Sequence, residues 1–197
     1  FASGPLSIQI PDLIGPPASS APVVEAGINH TIPVVLPAGA QVFGIDVKVN
    51  ITHTYVSDLK LVLKNSTTNE VINLFYHKSG AQTPGGNMIN TIISSAGTLR
   101  FSAVAPPFTN TFRADLELNP GSYGDAGGAG PTAFQPTTAS WNTLWGGVNQ
   151  GSGNWTLAIC DAPEWAGDIG TLTSWSMDIT YGAPAAGTWT SNPATPN

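Results

Sequence analysis

The sequence predicts an all-β protein, a jelly-roll β-sandwich of mainly antiparallel strands. Apolar and polar residues alternate with period two over residues 41–51 and again in later segments, which indicates strands with one buried face. The 197 residues include 22 Gly and 17 Pro, which interrupt the chain too often for long helices. Short strands separated by turn residues are typical of a sandwich.

Each predicted strand is a short run of alternating or β-prone residues. In the predicted strand 41–51, Phe43 and every second residue up to Ile51 are expected to face the core. In the last predicted strand, Trp175 and every second residue from Thr173 to Tyr181 are expected to face the core. A helical turn is predicted at 140–145, because Trp141, Leu144 and Trp145 share one helical face. The predicted strands are 7–10, 41–51, 59–64, 71–76, 91–93, 98–104, 109–113, 154–160 and 171–181.

The chain divides by composition into three parts. Residues 1–30 form an N-terminal segment with a candidate first strand, residues 31–181 form the predicted sandwich, and residues 182–197 resemble a linker. The sequence does not start with Met or with a signal peptide, so we expect either a mature fragment or a piece of a longer chain. The linker-like tail predicts that the chain continues on at least one side.

Charge and composition exclude several classes of partner. Only 9% of residues are charged and the formal net charge is −6, so nucleic acid is not an expected partner. Membrane insertion is not expected either, because no apolar run reaches the roughly 18–20 residues that span a bilayer. Cys160 is the single cysteine and is expected to be a buried free thiol. Abundant Thr, Ser and Asn with few Lys and Arg favour a secreted or cell-surface protein.

Three segments, in order, resemble the proprotein convertase P-domain found in bacterial secreted proteins. The first motif, HTYVSDL at 53–59, is similar to the family's turn ending in Gly-Asp-Leu. The second motif, FTNTFR at 108–113, is similar to the segment F-T-G-x-F-x-P of the bacterial members of the family. The third motif, GNWTLAICD at 153–161 with GDIGTLTSW at 167–175, is similar to the family pattern G-x-W-x-L-x-V-x-D followed by G-D-x-G-x-L-x-x-W. The resemblance covers residues 31–181.

The resemblance implies a non-catalytic accessory module of a larger secreted or surface protein. P-domains are jelly-roll sandwiches that stabilise an adjacent protease domain, of serine or metalloprotease type, and several bind calcium through loop carboxylates. This chain has Ser94 and Ser95 where bacterial members often carry an acidic pair. A calcium site built on that pair is therefore not expected here, and calcium is a candidate cofactor only at other loop carboxylates. The expected partner is an adjacent catalytic or surface domain of the same polypeptide.

Four acidic residues are candidate calcium ligands. Asp161, Glu164 and Asp168 lie in the loop between the last two predicted strands, and Asp58 lies in another turn. Calcium requires six to eight oxygen ligands, which such loops supply. The alternative is that Asp58 and Asp168 cap backbone N–H groups in turns. Zinc is not expected, because the three histidines lack ligand spacing, and a hydrogen bond from His53 that fixes its turn is favoured instead.

A different class of function is carbohydrate or peptide binding through the loops. Trp145 and Trp165 are the tryptophans expected to be exposed, whereas Trp155 and Trp175 are expected in the core. An enzyme is the third alternative, and Asp115 and Glu117 are its candidate carboxylate pair.

Overall fold

The structure, a computed structural model, describes residues 1–11, 27–76, 86–116, 118, 134–161 and 169–182. These residues form two β-sheets, one short α-helix and, among other turns, the 3-10 turns Val56–Asp58 and Phe101–Ala103. The strands are β1 (Ile8–Ile10), β2 (Gly27–Val34), β3 (Gln41–His53), β4 (Leu59–Asn65), β5 (Val71–Phe75), β6 (Met88–Ser94), β7 (Thr111–Arg113), β8 (Gly153–Asp161) and β9 (Gly170–Gly182), and the helix α1 is Trp141–Trp145.

The two sheets have the strand order of a jelly roll. The five-stranded sheet has the order β1-β9-β3-β6-β7, and the four-stranded sheet has the order β2-β8-β4-β5. The chain crosses between the sheets at β1–β2, β2–β3, β3–β4, β5–β6, β7–β8 and β8–β9, which gives two interleaved Greek keys. All strand pairs are antiparallel except β6 with β7. The predicted all-β sandwich is confirmed.

The faces of β3 differ from the prediction at its first residues. A β-bulge between Val42 and Gly44 shifts the pairing with β9 by one residue. Val42 is therefore buried, whereas Phe43 is 61% exposed. The prediction that Phe43 faces the core is wrong, and the alternation holds from Ile45 onward, up to Ile51.

A second register change affects β9. It lies opposite the step from Asn50 to Ile51, and it places Leu172 rather than Thr173 in the core. Trp175 and Met177 are buried as predicted, but Tyr181 is exposed, so its predicted core position is wrong. The extra residue in β9 explains the position of Thr173. Tyr181 pairs with the buried Val42 near the end of the ladder and is exposed at that end.

The four-stranded sheet is buried on both faces near its centre. Leu61 and its alternate neighbours face the main core, while Lys60 and Val62 on the opposite face are also fully buried. This second apolar cluster consists of Val62, Val71, Ala158 and Cys160, with Phe134 packed against it. Cys160 is a buried free thiol, as predicted.

Two shorter predictions have different outcomes. Residues 98–104 do not form a strand, because Phe101–Ala103 is a 3-10 turn. The helical turn is confirmed as α1, whose N-cap Ser140 accepts a hydrogen bond from the Thr143 N–H. Gly146 ends α1 with a φ of 67°, a left-handed conformation that favours glycine.

The N-terminal residues belong to the five-stranded sheet. β1 pairs with β9, and the backbone N–H groups of Ser3 and Leu6 donate to carbonyls of that strand. β2 spans the predicted boundary between residues 30 and 31, so the sandwich includes strands from both sides of it. Residues 183–197, most of the predicted linker, lie outside the described residues. No helix within the described ranges has the length and apolar character that a membrane crossing requires.

Candidate functional site

The first and third motifs meet at one end of the sandwich. His53, the last residue of β3, pairs in register with Gly170 at the start of β9. Leu59, the first residue of β4, pairs in register with Asp161 at the end of β8. Four strand ends therefore bring His53 and Asp161 together, and we call His53, Tyr55, Asp58, Asp161 and Gly170 the His53 junction.

A buried hydrogen bond joins the two motifs. The distance from His53 Nε2 to Asp161 Oδ2 is 3.1 Å, and both side chains are almost completely buried. The Tyr55 backbone N–H donates to His53 Nδ1 over 3.0 Å. Because Nδ1 accepts a hydrogen bond, the ring proton is on Nε2, which donates to the carboxylate. The predicted turn-fixing hydrogen bond of His53 is confirmed.

Gly170 is fitted to the imidazole ring. A Cβ atom at this position would lie 2.3 Å from His53 Cδ2 and 3.0 Å from Nε2. The Thr54 N–H donates to the Ile169 carbonyl, and the Thr54 hydroxyl oxygen accepts from the Ile169 N–H. The start of β9 is thus fastened to the end of β3 at the point where the ring packs.

The His53 junction does not have the chemistry of an acid–base pair. A catalytic histidine must present one nitrogen to the substrate while a carboxylate orients the other. Here Nε2 is bound to Asp161, Nδ1 is bound to the Tyr55 N–H, and the ring is shielded from solvent. The arrangement can hold strands together, but it offers no nitrogen to a substrate.

Asp161 keeps one carboxylate oxygen that fits a cation. Its Oδ1 atom is buried and has no hydrogen-bond partner among the described residues. A buried carboxylate oxygen without a donor is costly, and a metal ion would compensate it. In the described part of the chain, however, no group of three or more His, Cys, Asp or Glu side chains could hold a metal ion.

The other predicted calcium ligands are placed as follows. Asp58 is buried at the end of the 3-10 turn Val56–Asp58, next to the strand pair that contains Asp161. The Ser57 hydroxyl donates to Asp58 Oδ1 over 3.4 Å. Glu164 and Asp168 lie outside the described residues, as does Trp165 of the predicted binding loop.

Trp145 is not the exposed aromatic residue that the sequence predicts. It lies in α1 and is only 7% exposed, stacked near Trp141 with ring centroids 6.2 Å apart. Asn65 and Thr68 donate side-chain hydrogen bonds to the Leu144 carbonyl and hold the helix against β4. The predicted exposure of Trp145 is wrong, because the apolar face that suggested a helix is the face that packs inward.

The second motif contributes packing. Phe108 and Phe112 join Phe75 and Phe101 in one buried cluster, in which Phe101 and Phe112 are stacked with centroids 4.1 Å apart. Trp155 and Trp175 of the third motif are also in the core, as predicted. The apolar residues of these motifs are therefore structural.

The candidate enzymatic pair is divided between described and undescribed residues. Asp115 Oδ2 accepts a hydrogen bond from the Tyr76 backbone N–H over 2.9 Å, so this carboxylate caps a strand end. Glu117 lies outside the described residues.

The partnership of His53 with Asp161 is not predicted from the sequence, although both residues stand in motifs. Their positions in the first and third motifs are the signal that identifies them.

Comparison with known proteins gives few matches. No protein-family model matches the sequence, and no curated protein sequence matches it. The chain is similar to a chain in the crystal structure of the Aeromonas sobria serine protease with the chaperone, at 19% identity over 92% of this chain and 28% of that chain, with a TM-score of 0.34. The chain is also similar to a structure of the Aeromonas sobria serine protease, at 18% identity over 89% of this chain and 27% of that chain, with a TM-score of 0.32. The chain therefore spans well under half of each matched chain.

Proposed function

We propose that this chain is a non-catalytic accessory module of a larger secreted or cell-surface protein, in which it stabilises or docks to a protease domain. The observation that carries the proposal is the use of the motif residues. The apolar residues of the motifs fill the core, and His53 and Asp161 bind each other at the His53 junction. A sequence pattern of this kind maintains a rigid scaffold, and function then lies on surfaces and loops.

The proposal is tested by the composition of the natural polypeptide. Peptide mapping of the intact protein that contains residues 1–197 is expected to find a protease domain in the same chain. Other β-modules alone, without a catalytic neighbour, would contradict the association with a protease. A loop-binding module would then be the better account, although buried Trp145 removes one of its two predicted aromatic contacts.

The isolated chain is expected to show no hydrolytic activity. Assays on casein and on a panel of polysaccharides, each with the wild-type chain and the double variant Asp115→Asn, Glu117→Gln, should give the same background rate. Turnover by the wild-type chain that the double variant abolishes would show that it is an enzyme and would overturn the non-catalytic assignment.

Calcium is proposed as a stabilising ligand at Asp161. The unpartnered Oδ1 atom supports this proposal, with Glu164, Asp168 and Asp58 as the further carboxylates that the sequence predicts. Calcium would supply only structural cross-linking there. A tenfold excess of free calcium over its Kd should stabilise the fold by about 1.4 kcal/mol, through preferential binding to the native state.

The measurement is a pair of thermal melts, one in chelator and one in millimolar calcium. The wild-type melting temperature should rise by several degrees with calcium. Asp161→Asn should lose the response, whereas Asp46→Asn, at an exposed carboxylate on β3, should keep it. Identical wild-type midpoints in the two solutions would exclude a structural calcium site.

A further inference from the structure

A polar groove lies on the solvent-facing side of the five-stranded sheet. It has a volume of about 320 Å³, within the range of ligand sites. Its floor comes from β3, β6 and β9, and its wall comes from the first residues of the chain. The lining residues are Ala2, Gly4, Lys48, Asn50, Asn90, Ser174, Trp175 and Ser176.

The strand register places the polar side chains in two rows. Lys48 pairs with Ser176, and Asn50 pairs with Ser174, across the β3–β9 ladder. Ser176 in turn pairs with Ala2, which continues the first row towards the edge of the sheet. Same-face neighbours along a strand are about 7 Å apart, so the two rows lie about that far apart on the sheet face.

Asn50 organises the floor of the groove. Its Nδ2 atom donates to Ser174 Oγ over 3.0 Å, and its Oδ1 atom accepts from the Asn90 backbone N–H over 2.7 Å. Both bonds link Asn50 to neighbouring strands, so its side chain is held in one orientation. The Ser174 hydroxyl accepts one of them and keeps its own proton for a ligand.

Two backbone irregularities coincide with this point. β3 shifts register against β6 between Val49 and Ile51 and against β9 between Asn50 and Ile51. Asn90 has a φ of 50°, a left-handed conformation that asparagine adopts more readily than most residues other than glycine. Bulges concentrate where a strand re-aims a side chain next to a site.

The charges around the groove determine which ligand fits. Lys48 is exposed, but the neighbouring cross-strand pair on the same face is Asp46 opposite Asp178, and both are exposed. The Phe1 ammonium donates to the Met177 carbonyl beside Ser176, so the four charges around the groove cancel. In a chain with a net charge of −6, this matches an uncharged ligand better than an anionic one. The side chains of Lys48, Asn90 and Ser176 have no hydrogen-bond partner among the described residues, so donors and acceptors are both available.

We infer that this groove binds an uncharged saccharide, whose hydroxyl groups donate to and accept from the Asn90 amide and the two serine hydroxyls and accept from Lys48. Hydroxyl groups match this mixture because each one both donates and accepts. The inference goes beyond the proposed accessory role and does not depend on it. It also differs from binding through the tryptophan loops, because the ligand lies on the sheet face.

The test uses the chain 1–197 and backbone amide NMR signals. The probes are soluble hexasaccharides of β-1,4-linked glucose, mannose and N-acetylglucosamine, with a hexamer of galacturonate as the anionic comparison. At least one neutral hexasaccharide should shift the signals of Lys48, Asn50, Asn90, Ser174 and Ser176, and galacturonate should shift them less at equal concentration.

Variants then separate the groove from the rest of the surface. Ser176→Ala and Asn90→Gly should each weaken binding about tenfold through the loss of hydrogen bonds, and glycine retains the left-handed backbone at residue 90. Ser102→Ala, at an exposed serine of the 3-10 turn Phe101–Ala103, should bind like wild type. The inference is overturned if no neutral hexasaccharide shifts these signals, if the shifts map elsewhere, or if both groove variants bind normally.

Discussion

Replacement of Gly170 by alanine is expected to lower the free energy of unfolding by about 3 kcal/mol, the upper part of the range for overpacking. The added Cβ would lie 2.3 Å from His53 Cδ2, and the ring cannot move without breaking its hydrogen bonds to Asp161 and Tyr55. Urea unfolding followed by tryptophan fluorescence measures the change.

Two companion variants make this prediction specific. Gly44→Ala is the matched control, because its Cβ would meet Ser95 and Thr180 only at ordinary contact distances of 3.6 Å, and it should change stability by less than about 0.5 kcal/mol. His53→Ala removes the ring and its two hydrogen bonds, so it should itself be destabilising. In that background Gly170→Ala should cost little. Additive effects would contradict direct packing between the two residues.

Two fully buried asparagines are expected to respond in opposite directions to the same substitution. Asn65 Nδ2 donates to the Leu144 and Gln150 carbonyls, and its Oδ1 accepts from the Thr67 N–H. Asn65→Leu should therefore destabilise the protein by about 3 kcal/mol, because it leaves buried backbone groups without these partners. Asn73 is also fully buried, but neither of its amide atoms has a hydrogen-bond partner among the described residues.

Asn73→Leu is consequently expected to raise the free energy of unfolding by about 1 kcal/mol or more. The substitution removes an uncompensated polar group from the side of the sheet that carries the second apolar cluster. On that side, Asn73 lies beside Val71 of β5 and pairs with Val62 of β4. The same urea experiment compares the two variants directly. Loss of stability in Asn73→Leu would show that the amide is bound in solution, for example by a buried water molecule.

Much of the fold can be predicted from the sequence because the alternation of apolar residues reports burial directly. β4 and β8 follow this pattern throughout their core faces, and Trp155 and Trp175 lie where the pattern places them. The prediction fails at Phe43 and Thr173 because a β-bulge leaves no mark in an alternating sequence. A bulge depends on how a strand pairs with its neighbours, which local sequence does not determine.

The candidate site was less predictable for a related reason. His53 and Asp161 are 108 residues apart, and only the register of β3, β4, β8 and β9 brings them together. The apolar face of α1 predicted its helical conformation correctly, but the same face buries Trp145. The groove residues are small polar side chains in strands, and nothing in their individual identities distinguishes them from ordinary surface positions.

We propose that this module stabilises a catalytic neighbour without catalysing a reaction itself. The most direct test compares the intact natural polypeptide with a version that lacks residues 1–197. Thermal melting and residual protease activity after heating are measured for both. We predict a lower melting temperature and faster inactivation of the truncated protein. A protease domain with unchanged melting and activity, or a parent polypeptide without a protease domain, would contradict the claim.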